Sequence, residues 1–125
     1  MQHSGAAFFD GTRDLLIDGC HFDRLDGIGL YLAGFNRNAT IRNSEFSWIG
    51  DTAIALWGRT KSVMVPADAA GHAFLVEGID GTNGEQPRGT NIIANIVREL
   101  GHYSKQAAPF FQAKSAQVGT CGPVA

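Results

Sequence analysis

Acidic residues are the first candidates for chemistry in this chain. Asp18, Asp23 and Asp26 are closely spaced, and paired carboxylates at suitable separations act as acid and base, or as nucleophile, in glycoside hydrolysis. Arg42, expected beside Asp18 on a neighbouring strand, could help to bind a uronate or to abstract a proton. The alternative, which we favour, is that these side chains are solvated and form weak surface ion pairs.

Two histidines are candidates for acid–base chemistry. His21 is expected to lie opposite Glu45 on a neighbouring strand, and such a pair can act as a base with its orienting group. The alternative that we favour is a surface contact between strands. His102, near Tyr103 and Lys105, could belong to a polar cleft. No His-x-His or His-Glu-x-x-His motif marks a metal site.

Three exposed residues are selected for ligand binding: Arg88, Lys105 and Gln106. Arg88 lies at the end of a long loop that leads into a later strand region, and Lys105 lies near the end of that region. Together they could recognise an anionic or hydroxyl-rich glycan. The alternative that we favour is that Arg88 and Lys105 tie the loop to the rest of the domain through carbonyl groups and Glu85.

Aromatic and acidic side chains complete the candidate site. Trp57 follows an inward-facing Leu56, so its ring is predicted to point outward, where it could stack on a sugar. The alternative that we favour is that Trp57 covers the apolar side of the neighbouring loop. Asp80 with nearby backbone oxygens is a conceivable Ca²⁺ ligand, but the sequence assigns no metal site, cofactor or catalytic residue. The candidate binding residues are therefore Arg88, Lys105, Gln106, His102, Trp57 and Asp80.

Length and charge limit the functions that these residues can serve. The chain has 125 residues, which indicates one domain. Its net charge of −2 argues against bulk electrostatic binding of nucleic acid or anionic membranes. No apolar run approaches the ~18 residues that span a bilayer. Cys20 and Cys121 match no metal or redox spacing, and a disulfide between them stays open.

A repeat supplies the elements that must position these side chains. Residues 14–34 and 38–58 superimpose at an offset of 24, and residues 91–101 match the second copy at an offset of 51. Within each copy, short segments alternate with the period of a strand that buries one face, and turn residues separate them. The 16 glycines are expected at the corners. The coinciding apolar positions are Ile17, Ile41 and Ile92; Phe22, Phe46 and Val97; Leu25, Ile49 and Leu100; Leu30 and Ile54; and Leu32 and Leu56.

The segment before the first copy is predicted to end a preceding one. Ala7 and Phe9 would take the places of Leu30 and Leu32. The spacing after Gly11 is one residue shorter than in the next copy, so the register there stays open by one residue. This matters because a slip of one residue reverses the buried face of a strand.

The segments IRNSEFSWIGDTAIALWG and IIANIV resemble the right-handed parallel β-helix repeat of pectin-lyase-like proteins. In that family an asparagine ladder often satisfies backbone groups at a sharp turn, and the corresponding positions here are Cys20, Ser44 and Asn95. The DGT…QPRGT and KQ…FQA segments further resemble an uncharacterised subgroup of β-helix proteins. The resemblance implies carbohydrate binding or cleavage beside a long side loop, and it favours an extracellular or cell-surface location.

We therefore expect an all-β fold, a right-handed parallel β-helix (a solenoid) with about three coils at residues 6–34, 35–58 and 89–113. Residues 59–88 are predicted to form an inserted loop with at most a short strand near 72–76, and residues 114–125 to form a tail. Because neither end resembles a cap, we interpret the coils as part of a longer protein whose missing coils, or a second copy, stack on the open ends.

The expected function is polysaccharide recognition. Cleavage, as a lyase or glycoside hydrolase, is expected only of the longer protein, and this segment is expected to be inactive alone. The alternative is a non-catalytic solenoid with a structural, adhesive or partner-binding role. The fold itself does not decide between them, because β-helices serve many functions.

Overall fold

The computed structural model describes residues 5–65, 71, 74–78, 80–104 and 106–122. Within these residues the regular elements are β-strands and no helix is present, so the prediction of an all-β fold is confirmed. The strands are β1 (Gly5–Arg13), β2 (Leu16–Asp18), β3 (His21–Leu25), β4 (Ile28–Arg37), β5 (Thr40–Arg42), β6 (Glu45–Ile49), β7 (Ile54–Trp57), β8 (Ser62–Val65), β9 (Phe74–Glu77), β10 (Pro87–Arg88), β11 (Asn91–Ile93), β12 (Ile96–Leu100), β13 (Phe110–Ala113) and β14 (Gly119–Cys121).

Most strands form three parallel sheets whose order follows the repeat. The first sheet has the order β1-β4-β7-β13, with β10 also paired to β4. The second sheet has the order β14-β11-β5-β2, and the third has the order β12-β6-β3. Each copy of the repeat adds one strand to each sheet. The registers predicted from the offsets are confirmed, with partners that include Ile17, Ile41 and Ile92 in the second sheet and Phe22, Phe46 and Val97 in the third.

The three sheets share one apolar core because alternate side chains of their strands point into it. Leu30 comes from the first sheet, Ile41 from the second and Phe46 from the third, and all three are fully buried. The ring of Phe22 stacks on that of Phe46, with centroids 4.6 Å apart and planes 2° apart. Burying a side chain of this size contributes about 1.5–3 kcal/mol, so these stacks of like residues stabilise the fold.

The first sheet departs from the prediction that each strand buries one face. Tyr31 and Ala55 alternate with core-facing residues, yet they are 1% and 0% exposed and belong to a second apolar cluster. Aromatic rings provide part of the cover, because Trp57 packs against this cluster and Phe8 stacks on Tyr31 at 5.5 Å. The first sheet is therefore buried on both sides in its centre.

The register that the sequence left open near Gly11 is resolved by a β-bulge. Ala7 pairs with Leu30, as predicted, at an offset of 23. The register shifts between Asp10 and Thr12, after which the offset is 24. Gly11 lies at the shift with φ 78°, a left-handed conformation that glycine adopts without steric cost.

The 59–88 insertion differs from the predicted loop with at most one short strand. That prediction is wrong, because β8 and β9 pair antiparallel with Val63 opposite Val76. Two short apolar segments thereby satisfy each other's backbone groups. The insertion ends in β10, where Pro87 pairs in parallel with Asn36 of β4. Residues 72 and 73 of the predicted short strand lie outside the described residues.

Polar side chains at one turn connect each copy of the repeat to the copy before it. The Asn95 amide accepts a hydrogen bond from the Ser44 N–H at 3.0 Å and donates one to the Ile41 carbonyl at 2.9 Å. Ser44 Oγ accepts a hydrogen bond from the Cys20 N–H at 3.1 Å. Asn95 and Ser44 are buried, so these bonds satisfy backbone groups that water does not reach. The role expected for this position is confirmed for Ser44 and Asn95, whereas Cys20 is exposed.

Residues in the left-handed conformation build the corners, and most of them are not glycines, contrary to the expectation from composition. Their φ values lie between 50° and 54° where the residue is not glycine. Such a conformation costs an L-residue roughly 1–2 kcal/mol, so the tertiary fold imposes it. Equivalent positions form three series: Gly19, Asn43, Ala94 and Gly122; Arg24, Trp48 and Glu99; and Asp14, Asn38 and Gly89.

Two further points from the sequence are settled in the described part of the chain. Cys20 and Cys121 are exposed free thiols, so no disulfide joins them. The described residues include no helix of the length and hydrophobicity that crossing a membrane requires.

Candidate functional site

An aromatic and charged cleft lies where the third sheet leads into the first. Its volume is about 370 Å³. Its walls come from three copies of the repeat: the end of β3, the end of β6 and the segment that follows β12. Successive copies therefore place different side chains at one corner of the fold. The lining residues include Arg24, Asp26, Trp48, Gly50, His102 and Tyr103.

The backbone directs Trp48 into this cleft. Trp48 has φ 54°, which is a strained conformation for a bulky aromatic residue. Its neighbours Ser47 and Ile49 are buried, whereas Trp48 is 50% exposed. Arg24, the equivalent residue of the preceding copy, also has φ 54° and is exposed. The left-handed corner thus turns the side chains of successive copies outward.

The segment after β12 adds a second aromatic layer. The His102 ring stacks on that of Trp48, with centroids 5.1 Å apart and planes 15° apart. Tyr103 is 76% exposed. The N–H groups of Tyr103 and Ser104 both donate to the Gly50 carbonyl, at 3.0 and 3.1 Å. The three rings therefore form a largely exposed surface on a backbone that is anchored to the neighbouring copy.

Gly50 permits the close approach of these copies. A Cβ at this position would lie 2.1 Å from the Asp26 carbonyl oxygen and 2.7 Å from the Tyr103 ring. The first of these contacts is with backbone, so it could not be relieved by a side-chain rotation. The Gly50 N–H also donates to the Leu25 carbonyl at 2.6 Å. The shape of the cleft therefore requires glycine here.

Charged groups border the aromatic rings. Arg24 Nε lies 3.7 Å from Asp23 Oδ2 in an exposed ion pair, which contributes little to stability. Asp26 also lines the cleft. Aromatic faces beside guanidinium and carboxylate groups suit a hydroxyl-rich ligand, because the rings stack on its apolar face while the charged groups hydrogen-bond its hydroxyls.

Of the five candidate binding residues that the structure describes, His102 is the one that lines this cleft. Trp48 and Tyr103 are not among the six. A signal for Trp48 does exist in the repeat: the core-facing Phe46 and Ile49 are three positions apart instead of two. A local break in strand periodicity indicates an extra residue that turns outward. The two residues between Phe46 and Ile49 are Ser47 and Trp48.

The acidic candidates near the start of the chain form structural contacts. Arg42 lies 2.9 Å from Asp18, so the expected pair is present. Hydrogen bonds from Asn43 and then Arg42 lower the pKa of Asp18. These partners stabilise the charged carboxylate, so Asp18 acts as a surface ion-pair residue, the interpretation that the sequence favoured.

His21 lies opposite Glu45 in register, as predicted. The two side chains do not form the expected pair, however. His21 Nε2 lies 3.1 Å from Ser47 Oγ, which donates to Asp23 Oδ1 at 2.8 Å. Glu45 instead forms an ion pair with Arg98 on β12. Among the described residues, no carboxylate contacts His21 directly to orient it as a base.

Arg88 lies at a different corner, at the end of β10. In the described part of the chain its side chain bonds neither a carbonyl nor Glu85. Arg37 holds the loop instead, because its guanidinium donates to the carbonyls of Gln86 and, at 2.6 Å, of Gly84. The anchoring role expected of Arg88 therefore belongs to Arg37.

Trp57 is part of the apolar packing on the first sheet. Its ring lies 5.6 Å from that of Phe111, and it packs against the cluster that contains Tyr31 and Ala55. Trp57 therefore covers a neighbouring apolar surface. The described part of that surface belongs to the first sheet.

Asp80 organises its own loop. Its carboxylate accepts a hydrogen bond from the Thr82 N–H at 2.9 Å and lies 3.2 Å from Lys61 Nζ. These contacts, with Thr82 first, lower the pKa of Asp80 to about 2. Gln106 is exposed, and Lys105 lies outside the described residues. Among the residues that the structure describes, no group of three or more His, Cys, Asp or Glu side chains could hold a metal ion.

Comparisons with known proteins identify no relative of this chain. The chain matches no protein-family model, no curated protein and no solved structure. The functional interpretation therefore depends on the geometry of the cleft.

Proposed function

We propose that this chain is a right-handed parallel β-helix of the pectin-lyase-like type that binds carbohydrate in the aromatic cleft. The fold proposal is supported by the path of the chain, which enters the second, third and first sheets in the same order in each copy. The functional proposal is carried by one observation, the stacked Trp48 and His102 rings beside the exposed Tyr103.

Carbohydrate suits this surface on physical grounds. A sugar ring has an apolar face of C–H groups and a rim of hydroxyls, and an exposed tryptophan or tyrosine can cover the face. Arg24 and Asp26 lie at the border of the cleft. Arg24 can donate hydrogen bonds to the sugar hydroxyls, and Asp26 can accept hydrogen bonds from them. The volume of about 370 Å³ falls within the ~300–1,000 Å³ typical of small-molecule sites.

The proposal is that this chain, on its own, binds carbohydrate and does not cleave it. Hydrolysis of a glycosidic bond normally requires two carboxyl groups on opposite sides of the bond. Asp26 is the carboxylate among the described lining residues. Asp23 nearby accepts a hydrogen bond from Ser47 and pairs with Arg24, so it is engaged by protein groups.

The test is a binding experiment with a stacking variant. Binding of the chain to immobilised β-glucan, xylan and polygalacturonate oligosaccharides is measured, and calorimetry then gives the affinity for the best of them. Trp48→Ala removes the stacking surface and is expected to weaken binding about tenfold, because an aromatic contact contributes ~0.5–1.5 kcal/mol beyond its buried area.

The matched control is Phe8→Ala. Phe8 is 48% exposed, close to the 50% of Trp48, but it lies on β1 outside the cleft. This variant is expected to bind like the unmodified chain. Absence of binding to every glycan, or equal affinities of the Trp48→Ala variant and the unmodified chain, would contradict the proposal.

A further inference from the structure

Three arginines lie side by side at the corner where the first sheet ends. Arg13 of β1 and Arg88 of β10 are both register partners of Arg37 on β4. Neighbouring strands are about 4.8 Å apart, and register partners in a parallel sheet point to the same side. Like charges placed opposite each other in this way destabilise a sheet. A negatively charged group beside the three arginines would offset this repulsion.

Arg37, the central arginine, is held in place by the protein. Its guanidinium donates to the carbonyls of Asn36 at 3.1 Å, of Gly84 at 2.6 Å and of Gln86. Burial, followed by the charges of Arg88 and Arg13, lowers the pKa of Arg37. Arg37 therefore contributes a fixed positive charge, while most of its hydrogen-bonding capacity is used within the protein.

The ring of Phe35 lies against two of the three guanidinium groups. The central carbon of the Arg13 guanidinium lies 4.8 Å from the centroid of the Phe35 ring, and that of Arg37 lies 4.1 Å from it. Both distances fall within the ~6 Å range of cation–π contacts. The ring thus restrains Arg13 before any ligand binds, which reduces the entropy that ordering would cost.

No described acidic side chain neutralises the three arginines. The other arginines of the described chain each lie within 4.0 Å of a carboxylate. Arg13, Arg37 and Arg88 form no such ion pair with any described residue. Arg13 and Arg88 are exposed, so their donors face solvent. The ion-paired arginines are Arg24 with Asp23, Arg42 with Asp18, Arg59 with Asp10 and Arg98 with Glu45.

We propose that Arg13 and Arg88, on either side of Arg37, bind a tetrahedral oxyanion, phosphate or sulfate, as the free ion or as an ester group. Arg13 and Arg88 lie on strands on opposite sides of β4, so their guanidinium groups can reach an anion from two directions, and a tetrahedral anion has oxygens directed toward both. A carboxylate has only two oxygens, both on one side of its carbon, so it matches this arrangement less well. The site is independent of the aromatic cleft, which lies at the other end of the first sheet.

The test is a calorimetric titration of the whole chain at pH 8 and constant ionic strength. The probes are inorganic phosphate, inorganic sulfate and acetate, followed by glucose 6-phosphate and glucose 6-sulfate. Phosphate and sulfate are expected to bind at least tenfold more tightly than acetate. If an ester binds more tightly than its inorganic ion, the ligand is an ester group, and otherwise it is the free ion; either result supports the site.

Variants assign the binding to the cluster. Arg13→Gln and Arg88→Gln are each expected to weaken phosphate and sulfate binding about tenfold, because a charge-assisted hydrogen bond is lost. Arg98→Gln makes the same change in net charge at an exposed arginine elsewhere and should leave the affinity unchanged. Trp48→Ala should also leave it unchanged, which separates this site from the proposed carbohydrate cleft.

Three results would overturn the proposal. The first is the absence of saturable phosphate and sulfate binding. The second is an affinity that Arg13→Gln and Arg88→Gln do not reduce. The third is an equal loss on Arg98→Gln, since that would indicate a response to net charge alone.

Discussion

The core and the corners of this fold follow opposite rules. In the core, equivalent positions keep similar side chains, as Ile17 and Ile41 do in the second sheet. At the corner beside the cleft, equivalent positions keep the backbone conformation while the side chain changes. Arg24, Trp48 and Glu99 have φ values of 54°, 54° and 53°, yet they carry a cation, an aromatic ring and an acid.

The difference has a physical origin. A core position must match the volume of its neighbours above and below, because protein interiors are close-packed. A corner position must only adopt the left-handed turn, and its side chain points into solvent. The corners are therefore where this fold can vary side chains without loss of packing. Both proposed sites, the cleft at Trp48 and the cluster around Arg37, lie at corners.

The largest expected effect comes from truncating the stacked aromatic residue of the core. Phe46 is fully buried and stacks on Phe22, so Phe46→Ala should lower the free energy of unfolding by about 3–5 kcal/mol. Trp48→Ala, two residues away at a corner, should change it by less than about 1 kcal/mol. Urea denaturation followed by circular dichroism measures both values.

A milder variant keeps this comparison measurable if Phe46→Ala does not fold. Phe46→Leu retains most of the buried volume and should lose about 1–2 kcal/mol. Equal losses for the Phe46 and Trp48 variants would show that the core and the corner do not differ as described.

The next effect concerns a polar group that faces the interior. Asn95→Ala leaves the Ser44 N–H and the Ile41 carbonyl without their partner. Each unsatisfied buried group costs about 1–3 kcal/mol, so for the two groups we expect a loss of about 2–6 kcal/mol in the same denaturation experiment. Asn91→Ala is the control, because Asn91 is exposed at the start of β11. Similar losses for the two variants would mean that burial of the Asn95 amide is not what matters.

The interior of the fold can be predicted from the sequence because packing repeats with the chain. The offset of 24 correctly predicts the strand partners of Leu30 and Phe46, and the shorter spacing near Gly11 corresponds to the bulge between Asp10 and Thr12. Buried positions carry apolar side chains, so the periodic spacing of apolar residues in the sequence shows which positions are buried.

The corners and the sites can be predicted only in part. The six candidate residues include His102 but not its partner Trp48. The three-residue spacing of Phe46 and Ile49 is the sequence signal for an outward residue, but the left-handed turn that exposes Trp48 is imposed by neighbouring copies and not by a local preference. The Arg13–Arg37 contact spans two copies and depends on the shift of register at Gly11. The β8–β9 hairpin escapes prediction because its two strands do not follow the repeat.

The smallest expected effect tests the cost of the corner backbone itself. Ala94 has φ 51°, and its equivalents in the first and last copies are Gly19 and Gly122. Ala94→Gly removes the steric conflict between Cβ and the backbone in this conformation. We therefore expect the variant to raise the free energy of unfolding by about 0.5–1 kcal/mol, although glycine also increases the entropy of the unfolded chain. Thermal and urea denaturation both measure this gain.

The control makes the same substitution where the backbone is not left-handed. Ala39 is fully buried and is absent from the left-handed positions, so Ala39→Gly should lower the free energy of unfolding by about 1 kcal/mol through lost packing and added chain entropy. Opposite signs at the two alanines would show that corner positions are governed by backbone conformation and core positions by packing. A loss at Ala94 as large as that at Ala39 would show that corner side chains also contribute through packing, and the division between core and corner would then fail.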